Sequence, residues 1–161
     1  MDSGTDAALR KLYRHRYGVD PERVTTLHGD ASNRRLFRLR GPKGTAIGVS
    51  DPDPLQSRAF LSFSRTFHAA GLPVPEIFGE DAGAGVYLEE DLGDATLFDV
   101  LTAGRKGSSL DTVTIAVYRE ALRLLPRFQI EAGQHIDYGV CYPRASFDRQ
   151  SILWDLNYFK Y

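Results

Sequence analysis

The chain predicts an α+β fold: an antiparallel sheet of about five strands with a packed helix, followed by a mostly helical region. Three observations carry this expectation. The stretch Leu36-Phe37-Arg38-Leu39 alternates in the manner of a half-buried strand and runs into the tight turn Gly41-Pro42-Lys43-Gly44. Ala59, Phe60, Phe63 and Phe67, and later Val113, Val117, Ala121, Leu124 and Phe128, recur at helical spacing. The order of elements is helix, three strands, helix, two strands, an acidic connector, then helices.

Residues 6–17 read as an amphipathic helix, with Ala8, Leu9, Leu12 and Tyr13 on one side. Gly18 is placed to end it, and Asp20-Pro21 marks a turn. Residues 24–49 read as three short strands in an antiparallel meander. Phe37 and Leu39 fall on one face of the middle strand, Leu36 and Arg38 on the other. Asp51-Pro52-Asp53-Pro54 leads into a helix over 57–70, which Gly71 closes. Leu72-Pro73-Val74-Pro75 cannot continue a helix and leads to an edge strand at 76–79, with the next strand at 86–89. Asp91-Leu92-Gly93-Asp94 breaks the pattern before a helix starting at 96–101, and 102–109 reads as a loose segment. Pro126 lies inside the following helical stripe and predicts a kink or early end. A loop over 133–143 precedes a last helix from about Phe147, carrying Ile152, Leu153, Leu156 and Phe159.

Composition excludes several function classes. A chain of 161 residues with 42% hydrophobic and 25% charged residues has enough apolar content for a core. Its net charge of −1 provides no global field for nucleic acid or an anionic membrane, and basic residues are interleaved with acidic ones. Cys141 is alone and cannot form an internal disulfide; with no signal-like N-terminus and no long apolar run, a cytoplasmic protein is expected. His15, His28, His68 and His135 are scattered, so no metal site is suggested, and Cys141 reads as a small packed residue rather than a nucleophile. No Gly-x-Ser-x-Gly elbow occurs.

The stretch Gly29-Asp30-Ala31-Ser32-Asn33 joins two strands with little side-chain bulk, followed by Arg34 and Arg35. Such a loop can bring backbone N–H groups to an anion. His28-Gly29-Asp30 invites reading as a catalytic triplet. The nearest asparagine, Asn33, falls only three residues after Asp30, and the triplet precedes the long helices, so His28 reads as an ordinary strand-end residue.

The stretches GDASNRRLFRL (29–39), AIGVSDPDP (46–54), RAFLSFSRTFHAAGLPVPEIF (58–78) and VYLEEDLGDATLFDVL (86–101), with the later YREALRLLPRFQ and CYPRASFDRQSILWDLNYFKY, together resemble the aminoglycoside phosphotransferase superfamily. The nearest branch resembles the bacterial phosphotransferases related to cell-wall amino-sugar kinases. The resemblance implies a protein-kinase-like small lobe at 1–90 and a hinge with an incomplete helical large lobe at 91–161. It also implies ATP and Mg²⁺ as cofactors and a hydroxyl of an amino sugar or related small molecule as phosphate acceptor. Gly29, Asp30, Ala31, Ser32, Asn33 and Arg34 would cover the ATP phosphates, and Glu89, Glu90, Asp91 and Leu92 would border the adenine.

Two departures qualify the carry-over. Kinase-like enzymes place a phosphate-contacting lysine in the third strand and a glutamate in the next helix. Here the third strand, 45–50, has no lysine and the glutamate's place holds Gln56, which leaves phosphate contact to loop amides and Arg34 or Arg35. The catalytic base and the Mg²⁺ ligands would lie beyond Tyr161, so residues 1–161 read as the front of a longer protein and are expected to lack phosphotransferase activity by themselves. The competing class is a non-catalytic nucleotide-binding or interaction module. An apolar surface around Trp154, Tyr158 and Phe159 is expected to favour self-association.

Overall fold

The computed structural model describes residues 2–27, 33–107 and 109–158; the loop residues Gly29, Asp30, Ala31 and Ser32 lie outside the described residues. Helix α1 (Ser3–Tyr17) starts earlier than its apolar spacing suggests because Asp2 caps it, accepting from the Thr5 N–H at 2.9 Å and the Thr5 hydroxyl at 2.7 Å. Gly18 ends it in the left-handed region (φ 75°), its N–H donating to Arg14 O at 2.7 Å.

Strands β1 (Arg23–Leu27), β2 (Arg35–Gly41) and β3 (Gly44–Ser50) form the expected meander. With β4 (Ile77–Asp81) and β5 (Val86–Glu90) they make one five-stranded antiparallel sheet in the order β1-β2-β3-β5-β4. The observed class is therefore α+β.

Alternation decides what each face meets. Phe37, Leu39, Ala46, Val86 and Leu88 form a buried cluster with Ala8, Leu9 and Tyr13 of α1. Close approach of α1 requires Gly48: a Cβ there would stand 2.8 and 2.9 Å from the Leu9 methyls and 2.9 Å from Leu39. Two tyrosines fasten the helix to the sheet, Tyr13 donating to Gly44 O at 2.7 Å and Tyr17 to Thr45 O at 2.8 Å. On the opposite, inner face, Val49 and Tyr87 are buried with Leu61, flanked by Leu36, Ile47, Phe60 and Ile77.

Phe60 and Leu61 belong to α2 (Pro54–Ala69), which begins with Pro54 after the cap Asp53, whose carboxylate accepts from the Leu55 and Gln56 N–H groups. At its end Gly71 N–H donates to His68 O (2.9 Å) and Leu72 N–H to Phe67 O (3.0 Å), the paired bonds of a Schellman stop. Gly71 has φ 68°, which explains a glycine at that position.

Beyond the connector, α3 (Leu97–Gly104) is closed at its start by a reciprocal capping box between Thr96 and Asp99. The segment expected to be loose instead completes α3 and forms a two-residue-per-strand hairpin, β6 (Arg105–Lys106) with β7 (Ser109–Leu110). Helix α4 (Thr112–Pro126) ends at Pro126 as its ring demands and passes into a wider turn at Arg127–Glu131. The 133–143 region, expected to be loop, contains short 3₁₀ turns at Ala132–His135 and Tyr138–Val140. This part of the chain packs back on α2: Phe128, in the Arg127–Glu131 turn, meets Phe67 edge-on at 5.0 Å, and the Tyr142 hydroxyl beside Asp53 holds that carboxyl below its ordinary range. The last helix, α5 (Arg149–Tyr158), contributes no buried residue.

Candidate functional site

The inner face of β2, β3 and β5 holds the charged residues that matter. Arg38 is the first. Its neighbours in β2 are buried and apolar, and its own side chain is only 7% exposed, so an unpaired guanidinium there would be costly. The connector supplies the partners. Asp91 meets Arg38 twice, Oδ2 at 2.8 Å from Nε and Oδ1 accepting from Nη2 at 2.9 Å, and Asp94 meets Nη1 at 2.7 Å. Asp91 is likewise 7% exposed. Burial pushes its carboxyl up, but the Gly93 N–H at 3.0 Å and Arg38 outweigh burial and hold it below the ordinary carboxylate range. The acidic connector is thus tied to the sheet through one arginine, with Asp91 buried and Asp94 79% exposed.

The sequence-predicted site residues divide between faces. Arg34 lies on the inner face, its guanidinium carbon 5.6 Å above the Phe60 ring. Arg35 points away and pairs with Asp2 at 3.1 Å, beside α1. Asn33 lines a cleft at the end of the sheet with Thr5, Arg35, Ser50 and Asp51. Glu89, paired with Ile47 in the sheet register, shares the inner face with Tyr87 and Arg34. Glu90 is engaged with the next strand's approach, its N–H donating to Glu76 O at 2.9 Å and its carboxylate accepting from Glu76 N–H at 3.2 Å. Leu92 is 65% exposed.

Tyr87, 1% exposed, is the hub of the inner face. Its ring stacks on Phe60 with centroids 5.4 Å apart. Burial, and next the Glu89 charge, push its hydroxyl well above the ordinary tyrosine range, while a hydrogen bond with Arg34 opposes the shift. Burial also pushes Glu89 up to about 7, against the opposing charge of Arg34. Among the described residues, Arg34 Nε, Asp51 Oδ2, Ser57 Oγ and Glu89 Oε2 are buried with no hydrogen-bond partner. Arg34, Asp51 and Glu89 act on Tyr87 electrostatically, and Ser57 shares with it a cleft of about 650 Å³ between α2 and the β4–β5 hairpin. Buried polar atoms without partners mark a place where water or a ligand completes the bonding. No group of three His, Cys, Asp or Glu side chains that could hold a metal ion occurs among the described residues.

The ion triad of Arg38, Asp91 and Asp94 and the Phe60–Tyr87 platform were not foreseen from the sequence. A signal for the first was present: an arginine at the centre of a strand, between the core residues Phe37 and Leu39, needs a carboxylate, and two aspartates three residues apart follow the strand at 86–90.

No protein-family model matches the chain. A search of curated proteins finds similarity to an N-acetylmuramate/N-acetylglucosamine kinase of Pseudomonas putida, 32% identical over 101 residues. That match takes in 61% of this chain and 30% of the relative, so the chain spans less than a third of the curated protein it matches. The similarity supports a relationship to a sugar kinase. No helix of the chain is long and apolar enough to cross a membrane among the described residues.

Proposed function

We propose that the chain is part of an ATP-dependent small-molecule kinase of the aminoglycoside phosphotransferase type, phosphorylating a hydroxyl of an amino sugar or related substrate. The observation that carries this reading is the match to a kinase named for two amino sugars. The fold supports it: a five-stranded antiparallel sheet, one helix packed on its inner face, and a connector after β5 are the parts that a kinase-like small lobe would need. The unpartnered polar atoms on the inner face give that surface a use for a polar ligand.

In this reading the sheet and connector bind and orient the nucleotide. The 29–34 loop covers the phosphates, and the Glu89–Leu92 stretch borders the base. Mg²⁺, when bound, would neutralise phosphate charge and align the γ-phosphate, with ligands supplied outside residues 1–161. ATP would be the phosphoryl donor and the sugar hydroxyl the acceptor. The protein would act in the cytoplasm.

The test is a coupled ADP-release assay on the intact protein with N-acetylmuramate, N-acetylglucosamine and an aminoglycoside. Sugar-dependent ADP release is the expected result, and its absence with all acceptors overturns the kinase reading. Nucleotide binding without turnover would instead support the non-catalytic module. Residues 1–161 by themselves are expected to show no turnover in the same assay.

A further inference from the structure

The geometry points to Arg34 as the side chain that holds the nucleotide phosphates, with Phe60 and Tyr87 as the positioning residues that aim it. This inference rests on the nucleotide-binding reading above. It follows from asking which cation the inner face can offer. A polyphosphate carries several negative charges and needs donors of opposite charge near its oxygens. The inner-facing residues of β3 are Thr45, Ile47 and Val49, none of them charged, so that strand contributes no cation. Arg38 is engaged by Asp91 and Asp94. Arg40 stands at the far end of β2, where it pairs with Arg23, six residues and roughly 20 Å of strand from Arg34. Arg35 leaves the inner face for Asp2. Arg58 lines the cleft between α2 and the β4–β5 hairpin, to which neither β2 nor β3 contributes a residue.

Arg34 differs from all of these. It immediately precedes β2, it reaches across the inner face to Phe60 and Tyr87, and among the described residues it makes no ion pair. Lying over the Phe60 ring beside the Tyr87 hydroxyl orients the guanidinium without neutralising it. Its Nε remains buried with no partner. A planar fork held in place with open donors is suited to two oxygens of one phosphate. Glu89 is the carboxylate that feels its charge, and it keeps an unpartnered oxygen rather than closing on the guanidinium. Arg34 therefore supplies from β2 the positive charge that a lysine on β3 would have supplied.

The experiment measures equilibrium binding of ATP and of adenosine to the intact protein by calorimetry, for the wild type and for Arg34→Gln, Arg34→Lys, Tyr87→Phe and Arg35→Gln. Arg34→Gln is expected to weaken ATP about tenfold or more while changing adenosine less than twofold. Arg34→Lys, which keeps the charge but loses the fork, should fall between. Tyr87→Phe should weaken ATP several-fold and leave adenosine unchanged, a split that a merely structural role would not produce. Arg35→Gln should bind both as the wild type does. Unchanged ATP affinity in Arg34→Gln, with the wild type binding ATP, overturns the Arg34 assignment alone. Equal loss of ATP and adenosine in both Arg34 variants also overturns it. A wild type that binds neither ligand overturns the nucleotide reading and this assignment together.

Discussion

Glu89, the penultimate residue of β5, has a carboxylate oxygen that no donor reaches, and burial raises its proton affinity to a pKa of about 7. The ordinary value is 4.5, so the folded chain holds a proton that the unfolded chain has released between those two pH values. With more protons bound in the folded state, stability falls as pH rises through this window and levels off above about 7. The whole effect is on the order of 3 kcal/mol. Glu89→Gln removes the titrating proton while keeping the shape. The variant is expected to be more stable than the wild type at pH 8, to match it near pH 5, and to lose most of the slope between. Urea unfolding followed at several pH values between 4.5 and 8.5 checks this, and parallel curves for the two proteins would refute it.

At the scale of elements, the decisive joint is β2 with the connector. Replacing Arg38 by methionine leaves Asp91 buried without its counter-charge, and loss of one partner of a buried pair costs about 3–5 kcal/mol. The Arg38→Met variant should therefore melt well below the wild type, whereas the double variant Arg38→Met/Asp91→Leu should recover much of the loss, since an apolar pair satisfies the same space. Circular-dichroism melts of the two variants decide the point; equal destabilisation in both would show that the pair itself was not the source. Much of this level was legible in the sequence. The alternation of Leu36 to Leu39 gave the two faces of β2 correctly, and Gly18, Gly71 and Pro126 marked helix ends because each meets a backbone requirement that is local. Asp2 as the cap of α1 was overlooked because capping extends a helix beyond its apolar face. The β6–β7 hairpin was missed because two-residue strands have no periodicity to detect. Arg34 and Arg35 looked equivalent as neighbours in sequence. The period of two in a strand sends them to opposite faces, and only the tertiary partners, Phe60 for one and Asp2 for the other, say which face is which.

At the scale of the whole molecule, apolar burial is uneven. The sheet and its two helices hold nearly all of the buried hydrophobic residues, while α5 exposes Leu153 at 47%, Trp154 at 59% and Leu156 at 60%. Arg144 covers one side of the indole, its guanidinium carbon 5.1 Å from the ring, and leaves the rest open. We expect residues 1–161 to self-associate through this surface. Sedimentation velocity should show a concentration-dependent shift to larger species, reduced in a Trp154→Ser/Leu156→Ser variant. A wild type that stays a single monomeric species over a hundredfold concentration range would rule the association out.

The double engagement of Arg38 also fixes where the chain can pivot. Asp91 and Asp94 both end on one guanidinium, so the intervening backbone is closed into a small ring through a side chain of the sheet. Gly93, at φ 87°, shapes the turn inside that ring. With residues 91–94 held to the sheet and the Thr96 cap fixing the start of α3, Ala95 is the one connector residue that neither the arginine nor the cap engages, and a swivel of the helices against the sheet is expected there.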